Sequence, residues 1–214
     1  MHLNKKSLLA VAGAMIAGGV AMNADEARAD MASGLAMANT CAGCHGTDGM
    51  ANGPAMPNIA GQPANYLIPV MKEFRSGERY STIMGRIAKG YSDAEIEALS
   101  KAVAGWKWTG GAENPKLAMK TGETIAMVKP ALAAEGEKLA KEMKCTKCHE
   151  DGGKSTEDDM PRVAGQHLDY LLFKMEDYKD EALKMPQPKK MKKRMDKASA
   201  KELEAISHFW AANK

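Results

Sequence analysis

Aromatic residues are scarce in this chain: three Phe, three Trp and five Tyr make up 5% of its 214 residues. No run alternates β-branched with polar residues, which excludes a sandwich or barrel of strands and leaves a helical fold. Charge of one sign is lacking too, because 30 Lys and Arg stand against 27 Asp and Glu for a net +3. That balance excludes a general nucleic-acid binder, which carries a strongly basic face. Long apolar runs are missing beyond the first thirty residues, where charges interrupt every hydrophobic segment, so no membrane span is expected there. Cysteine is limited to four residues, and all four fall into two close pairs.

The single long apolar run, Ser7 to Met22, follows basic Met1 to Lys6 and leads to the small-residue site Ala27-Arg28-Ala29. That order is the pattern of an export signal. The run is short and Gly-rich against the ~20 strongly apolar residues of a membrane anchor. The expectation is a signal peptide over 1–29, cleavage that lowers the net charge to +2, and a periplasmic mature chain starting near Asp30. The length left over suits two small domains.

The cysteine pairs are Cys41-Ala42-Gly43-Cys44-His45 and Cys145-Thr146-Lys147-Cys148-His149. Four Cys in an exported chain ordinarily form disulfides, and C-x-x-C alone also fits a redox dithiol or a Cys/His zinc site. A thioredoxin-like dithiol follows a strand, whereas Ala-, Lys- and Glu-rich helical sequence stands here. C-x-x-C followed at once by His is the signature of thioether attachment of haem c. Two such motifs in matching contexts imply two covalent haems, held by Cys41, Cys44, Cys145 and Cys148. A core with few aromatic rings suits a fold organised around a macrocycle.

The motifs lie 104 residues apart, and the same shift lays Pro57-Asn58-Ile59-Ala60-Gly61-Gln62 on Pro161-Arg162-Val163-Ala164-Gly165-Gln166. It also pairs Tyr66 and Leu67 with Tyr170 and Leu171, and Leu35 with Leu139. Toward the unit ends a shift of 107 works better, laying Ser92, Glu95 and Leu99 on Ser199, Glu202 and Ile206, so three residues are inserted within Glu181 to Lys190. A period near 100 is a duplicated domain, because solenoid repeats run 20 to 50 residues. Each unit reads as a short helix before its cysteines, a Gly/Pro loop, a middle helix (Ala64 to Ser76 in unit one), a Met-bearing loop over Ile83 to Gly90 and a last helix. Ser92 with Glu95, and Ser199 with Glu202, read as capping boxes that open the last helices. Gly110 to Pro130 has no sustained period and is the best linker. The expected domains are 30–112 and 131–214, joined by 113–130.

His45 and His149 are the expected proximal iron ligands. A metal-bound His generally donates its other ring N–H to a carbonyl or carboxylate, and Pro57 and Pro161 are the expected acceptors. The sixth ligand separates a carrier from a catalyst, since a Met thioether closes the iron and raises its potential. Met84 is the candidate in unit one, and the 107 shift carries it to Met191, with Met185 and Met195 nearby. Most of the 17 Met are core fillers, among them Met37, Met71, Met119, Met127, Met143 and Met175. His167 and His208 read as packing or surface residues; Trp106, Trp108, Phe209 and Trp210 read as packing against the first helix and haem edge. Lys184, Lys189, Lys190, Lys192, Lys193, Arg194 and Lys197 crowd the second Met loop, either as a solvated face or as a docking rim.

At these residues the chain resembles a class I cytochrome c duplicated into a dihaem protein, as in the cytochrome c4 family. It resembles more closely the dihaem cytochrome subunits of flavocytochrome c sulfide dehydrogenases. The likeness rests on residues 39–47, on Phe74-Arg75-Ser76-Gly77-Glu78, on Ser81-Thr82-Ile83-Met84-Gly85-Arg86-Ile87-Ala88-Lys89-Gly90-Tyr91-Ser92, on residues 147–154 and on Ala164-Gly165-Gln166. Ile59-Ala60-Gly61-Gln62-Pro63 is closer to the c4 pattern, and the Lys- and Met-rich segment before Met191 is longer than the family's. The resemblance implies an all-α fold of two tandem class I cytochrome c domains packed about a pseudo-twofold axis, with His/Met ligation of both haems. It also implies an FAD-containing sulfide dehydrogenase flavoprotein as heterodimer partner, which oxidises sulfide, and a soluble periplasmic acceptor for the electrons. The alternative is a freestanding c4-like carrier to a terminal oxidase.

Overall fold

The computed structural model describes residues 33–109, 127–157 and 159–214. The expected signal peptide, Met119 and most of the expected linker lie outside these residues. Among the described residues no strand forms, and no helix is long and apolar enough to cross a membrane.

The main helices come in two sets of four. Unit one holds α1 (33–39), α2 (Ala64–Ser76), α3 (Met84–Ala88) and α4 (Asp93–Ala104). Unit two holds α5 (Pro130–Glu142), α6 (Leu168–Lys179), α7 (Lys189–Met195) and α8 (Ala200–Ala212). Local chemistry explains their ends. Ser92 and Ser199 each accept the N–H of a Glu three residues on, and that carboxylate accepts the serine N–H at 2.7 Å. Two orphan donors are satisfied at each helix start, and donation from the serine N–H first, then from the serine hydroxyl, holds the Glu95 and Glu202 carboxyls below their ordinary range. The stretch expected as a Met-bearing loop contains α3. Ser81 Oγ accepts the Gly85 N–H at 2.7 Å and so satisfies one donor of its first turn.

In unit two α8 packs against α5 and α6, burying Ala140, Leu168, Leu171, Ile206, Trp210 and Ala211 together. Ala38, Leu99 and Val103 form the matching core of unit one. Glycines set how closely these helices approach. A Cβ on Gly34 would lie 2.6 Å from the Ala98 carbonyl oxygen, and one on Gly136 only 1.9 Å from that of Ala205.

These contacts correct the repeat. Ala98 and Ala205 are 107 residues apart, but Gly34 and Gly136 are 102 apart, as are the fully buried Ala38 and Ala140. The 104 register therefore fails upstream of the cysteines: Leu35 is 46% exposed, whereas Leu139 packs on the core. The two extra residues of unit two fall between α5 and Cys145, where Lys144 turns left-handed (φ 61°). Met127, expected in the core, is 58% exposed, because it precedes α5 and has no helix face to carry it inward.

The units meet along their Pro57 and Pro161 loops and along the inserted segment. Tyr80 donates its N–H to the Lys184 carbonyl at 2.7 Å, and Arg79 Nη2 donates to the Pro186 carbonyl at 3.2 Å. The insertion of unit two thus lies against unit one. Tyr66 and Tyr170, paired by the repeat, both have their hydroxyl pKa pushed up by burial.

Candidate functional site

Each site begins as a turn that brings two thiols and a histidine together. The His45 N–H bonds to the Cys41 carbonyl at 2.8 Å and the His149 N–H to that of Cys145 at 3.0 Å. No disulfide joins the four cysteines, and burial raises the pKa of Cys41 and Cys145. A reactive dithiol needs the opposite shift. Among the described residues no three His, Cys, Asp or Glu side chains are grouped to hold a metal ion by themselves.

Past each histidine the chain turns at a left-handed glycine, Gly49 (φ 74°) or Gly153 (φ 87°). The glycine carbonyl receives two N–H groups, from Ile59 (2.8 Å) and Ala60 (3.2 Å) in unit one and from Val163 and Ala164 (both 2.9 Å) in unit two. Trp106 and Trp210 close over these glycines, where a Cβ would meet their rings at 2.8 and 2.7 Å. Only glycine suits that conformation and that approach. The clamp folds the proline loop back onto the histidine.

In unit one His45 Nδ1 lies 2.8 Å from the Pro57 carbonyl. A carbonyl only accepts, so Nδ1 carries the proton and Nε2 keeps the lone pair that a metal needs. The ring is 8% exposed; burial lowers its pKa, with the Pro57 carbonyl opposing, so it stays neutral, the ligating form. Unit two is less closed. Burial lowers the His149 pKa and the Pro161 carbonyl is near enough to oppose this, yet Nδ1 is buried without a hydrogen bond. The ring centroids of His149 and Trp210 are 6.0 Å apart.

Met84 opens α3 and Met191 lies inside α7, both half-buried. Each precedes the capping serine of its last helix by eight residues. Met191 packs beside Met195, Ala198 and Leu203 with Met143, Met175 and Tyr178, while Met185 stands on the segment that touches unit one.

Three residues have more specific places than the sequence suggested. His167, 4% exposed, holds the Ala51 carbonyl of unit one through Nε2 at 3.0 Å. His208, 2% exposed, accepts the Lys129 N–H on Nδ1 at 3.1 Å, its pKa lowered by burial. Trp108, expected against its own first helix, instead lies under the Arg162 guanidinium of unit two at 4.9 Å, because it follows the end of α4 where the chain leaves unit one. The glutamines Gln62 and Gln166 also bridge the units. Their matching places in the repeat were the available signal.

Residues 29–104 and 133–212 match the family model described as cytochrome c. The chain belongs to the cytochrome c family. Cytochrome c4 of Azotobacter vinelandii is 32% identical over 167 residues, 73% of this chain and 75% of that one. The cytochrome subunit of sulfide dehydrogenase of Chlorobaculum tepidum is 44% identical over 62 residues, 29% of this chain and 56% of that one. Reduced cytochrome c4 from Pseudomonas stutzeri superimposes with a TM-score of 0.69 at 23% identity, over 86% of this chain and 98% of that one. This is therefore an electron-transfer cytochrome of the c4 type, all-α, with two tandem cytochrome c domains. Cytochromes of this type carry haem c, and the donor set fits that group: two thiols and a histidine on one turn in each unit, with His45 Nδ1 already engaged by the Pro57 carbonyl.

Proposed function

We propose that this cytochrome holds two covalent haems c and relays electrons from an FAD-containing sulfide dehydrogenase flavoprotein, its heterodimer partner, to a soluble periplasmic acceptor. Cys41 and Cys44 hold the first haem, Cys145 and Cys148 the second. His45 and Met84 would hold the first iron, and His149 and Met191 the second. A signal peptide over 1–29 directs export, and domains 30–112 and 131–214 are joined by linker 113–130.

Haem c supplies one-electron redox chemistry when bound. The chain's own residues divide the remaining work. The Pro57 carbonyl fixes the tautomer and orientation of His45. Thioethers from Met84 and Met191 exclude sulfide from direct coordination, so the two-electron oxidation falls to the flavoprotein. Lys189, Lys190, Lys193 and Lys197 are exposed beside Met191, and such a rim steers an acidic partner and raises its association rate.

The observation that carries the flavoprotein reading is the 44% identity with a sulfide dehydrogenase cytochrome subunit. A freestanding c4-like carrier to a terminal oxidase is favoured instead by the 32% identity that runs over 73% of the chain. Mass spectrometry of the mature protein should find two haems and no free thiol. Sulfide should reduce both haems only when the flavoprotein is added. Haems that sulfide cannot reduce even then would overturn the partner and leave the carrier.

A further inference from the structure

The peptide group between Pro57 and Asn58 is hydrogen-bonded at both ends. Its carbonyl receives the His45 Nδ1–H at 2.8 Å, and its N–H donates to Gln166 Oε1, from the other unit, at 2.9 Å. Gln166 is held in place: its Nε2 donates to the Asn58 carbonyl at 2.9 Å and its Oε1 also receives the His167 N–H at 3.1 Å. Asn58 is 1% exposed and Gln166 5%, so water does not compete for these bonds. The arrangement recurs the other way. Gln62 Oε1 receives the Arg162 N–H and Gln62 Nε2 donates to the Arg162 carbonyl, both at 2.9 Å. That Arg162 N–H belongs to the peptide whose carbonyl is Pro161's, but there the His149 bond is not closed.

We propose that Gln166 is a positioning residue for the iron site of the opposite unit: by polarising the Pro57–Asn58 peptide it strengthens the His45 Nδ1–H bond and lowers the unit-one reduction potential. Gln62 bonds the Pro161–Arg162 peptide in the same way, but the Pro161 carbonyl acts on His149 without a closed hydrogen bond to Nδ1, so its effect is weaker. The proposal rests on the reading of His45 and His149 as proximal ligands. Donation from a peptide N–H shifts electron density onto its carbonyl oxygen, and bonds in such a chain strengthen one another. A stronger acceptor on Nδ1 makes the imidazole a better electron donor, which favours the oxidised iron. Each unit's potential is thereby tied to the docking of the other.

A glutamine that merely held the interface would behave differently. Its loss would admit water to both sites and move both potentials in one direction, since solvent access itself tunes a metal site. The test uses the full-length dihaem protein with Gln166→Met and Gln62→Met, which keep side-chain volume and remove the bonds, and Gln166→Glu, which keeps an acceptor oxygen. Redox titration is followed through the NMR resonances of each haem, together with the histidine ring N–H signals.

Gln166→Met should raise the unit-one potential alone, by at least about a twofold change in the oxidised-to-reduced ratio. Gln62→Met should raise that of unit two by less, and Gln166→Glu should leave unit one at or below its starting potential. Equal movement of both potentials, or of neither, overturns the relay. A wild-type spectrum without His45 at an iron overturns the ligation reading and the relay with it. If Gln166→Met does not accumulate, Gln62→Met and Gln166→Glu decide by the same criteria.

Discussion

Gly136→Ala probes the tightest helix-to-helix contact of the described glycines. The new Cβ would lie 1.9 Å from the Ala205 carbonyl oxygen, where ordinary contact begins at 3.4 Å, so α5 and α8 must part by about 1.5 Å. Both sides of the contact are backbone, and no flexible side chain can yield. The seam carries Ala140, Ala205 and Ile206, each at most 2% exposed, and even a gap of 0.5–1 Å forfeits a quarter to half of a van der Waals well. Overpacking a core costs ~1–3 kcal/mol, and the backbone contact puts this site at the upper end. Alanine recovers about 1 kcal/mol of helix propensity, leaving a net loss of about 2 kcal/mol. For a unit of this size that is a fall in Tm of roughly 8–16 °C. Gly34→Ala, at 2.6 Å from the Ala98 oxygen, needs about half that parting and should cost less. Thermal unfolding followed by far-UV circular dichroism and haem absorption reads both. A Gly136→Ala protein that melts with the wild type, or a Gly34→Ala protein that melts lower still, would refute this packing and the 102-residue equivalence drawn from it.

Three further outcomes are expected. Met84→Ala and Met191→Ala should each remove one share of the thioether-to-iron absorption and lower one potential; if Met185→Ala does so in place of Met191→Ala, the ligand in unit two is misassigned. Ser199→Ala should cost about 1 kcal/mol through loss of the α8 cap. The Glu202 half of that cap depends on pH: its folded pKa is depressed by the Ser199 N–H, so its contribution is present above the unfolded carboxylate pKa and lost as pH falls through the folded one. The melting difference between wild type and Glu202→Gln should therefore begin to narrow as pH falls past the unfolded value of about 4.3 and close below the folded one, and a gap that persists in strong acid would show that the carboxylate is not its source.

What the sequence determined by itself is whatever is settled within a few residues. The helical turn from Cys41 to His45 is local, and so are the Ser92 and Ser199 capping boxes. The bounds of α2 follow from Pro63 before it and Gly77 after it, the latter at φ 79°. Propensity, capping and thioether spacing act over one or two turns, so their outcome is written in the order of the residues. The duplication was legible for the same reason, from two matching local patterns.

Only the tertiary structure decided how segments about 100 residues apart meet. The sequence shift placed Leu35 on Leu139, but it is the approach of Gly34 to Ala98 and of Gly136 to Ala205 that defines equivalence, because backbone crossing tolerates no Cβ there. Trp108 was free to pack on its own unit until the docking of the second unit put Arg162 above it. Gln62 and Gln166 look like ordinary polar loop residues in the chain. They become bridges once the two proline loops face each other and bury them, since a buried amide must find its partners in whatever backbone lies opposite. The two histidines also differ only in the folded chain: their motifs are alike, while His45 Nδ1 has its bond to the Pro57 carbonyl and His149 Nδ1 has none.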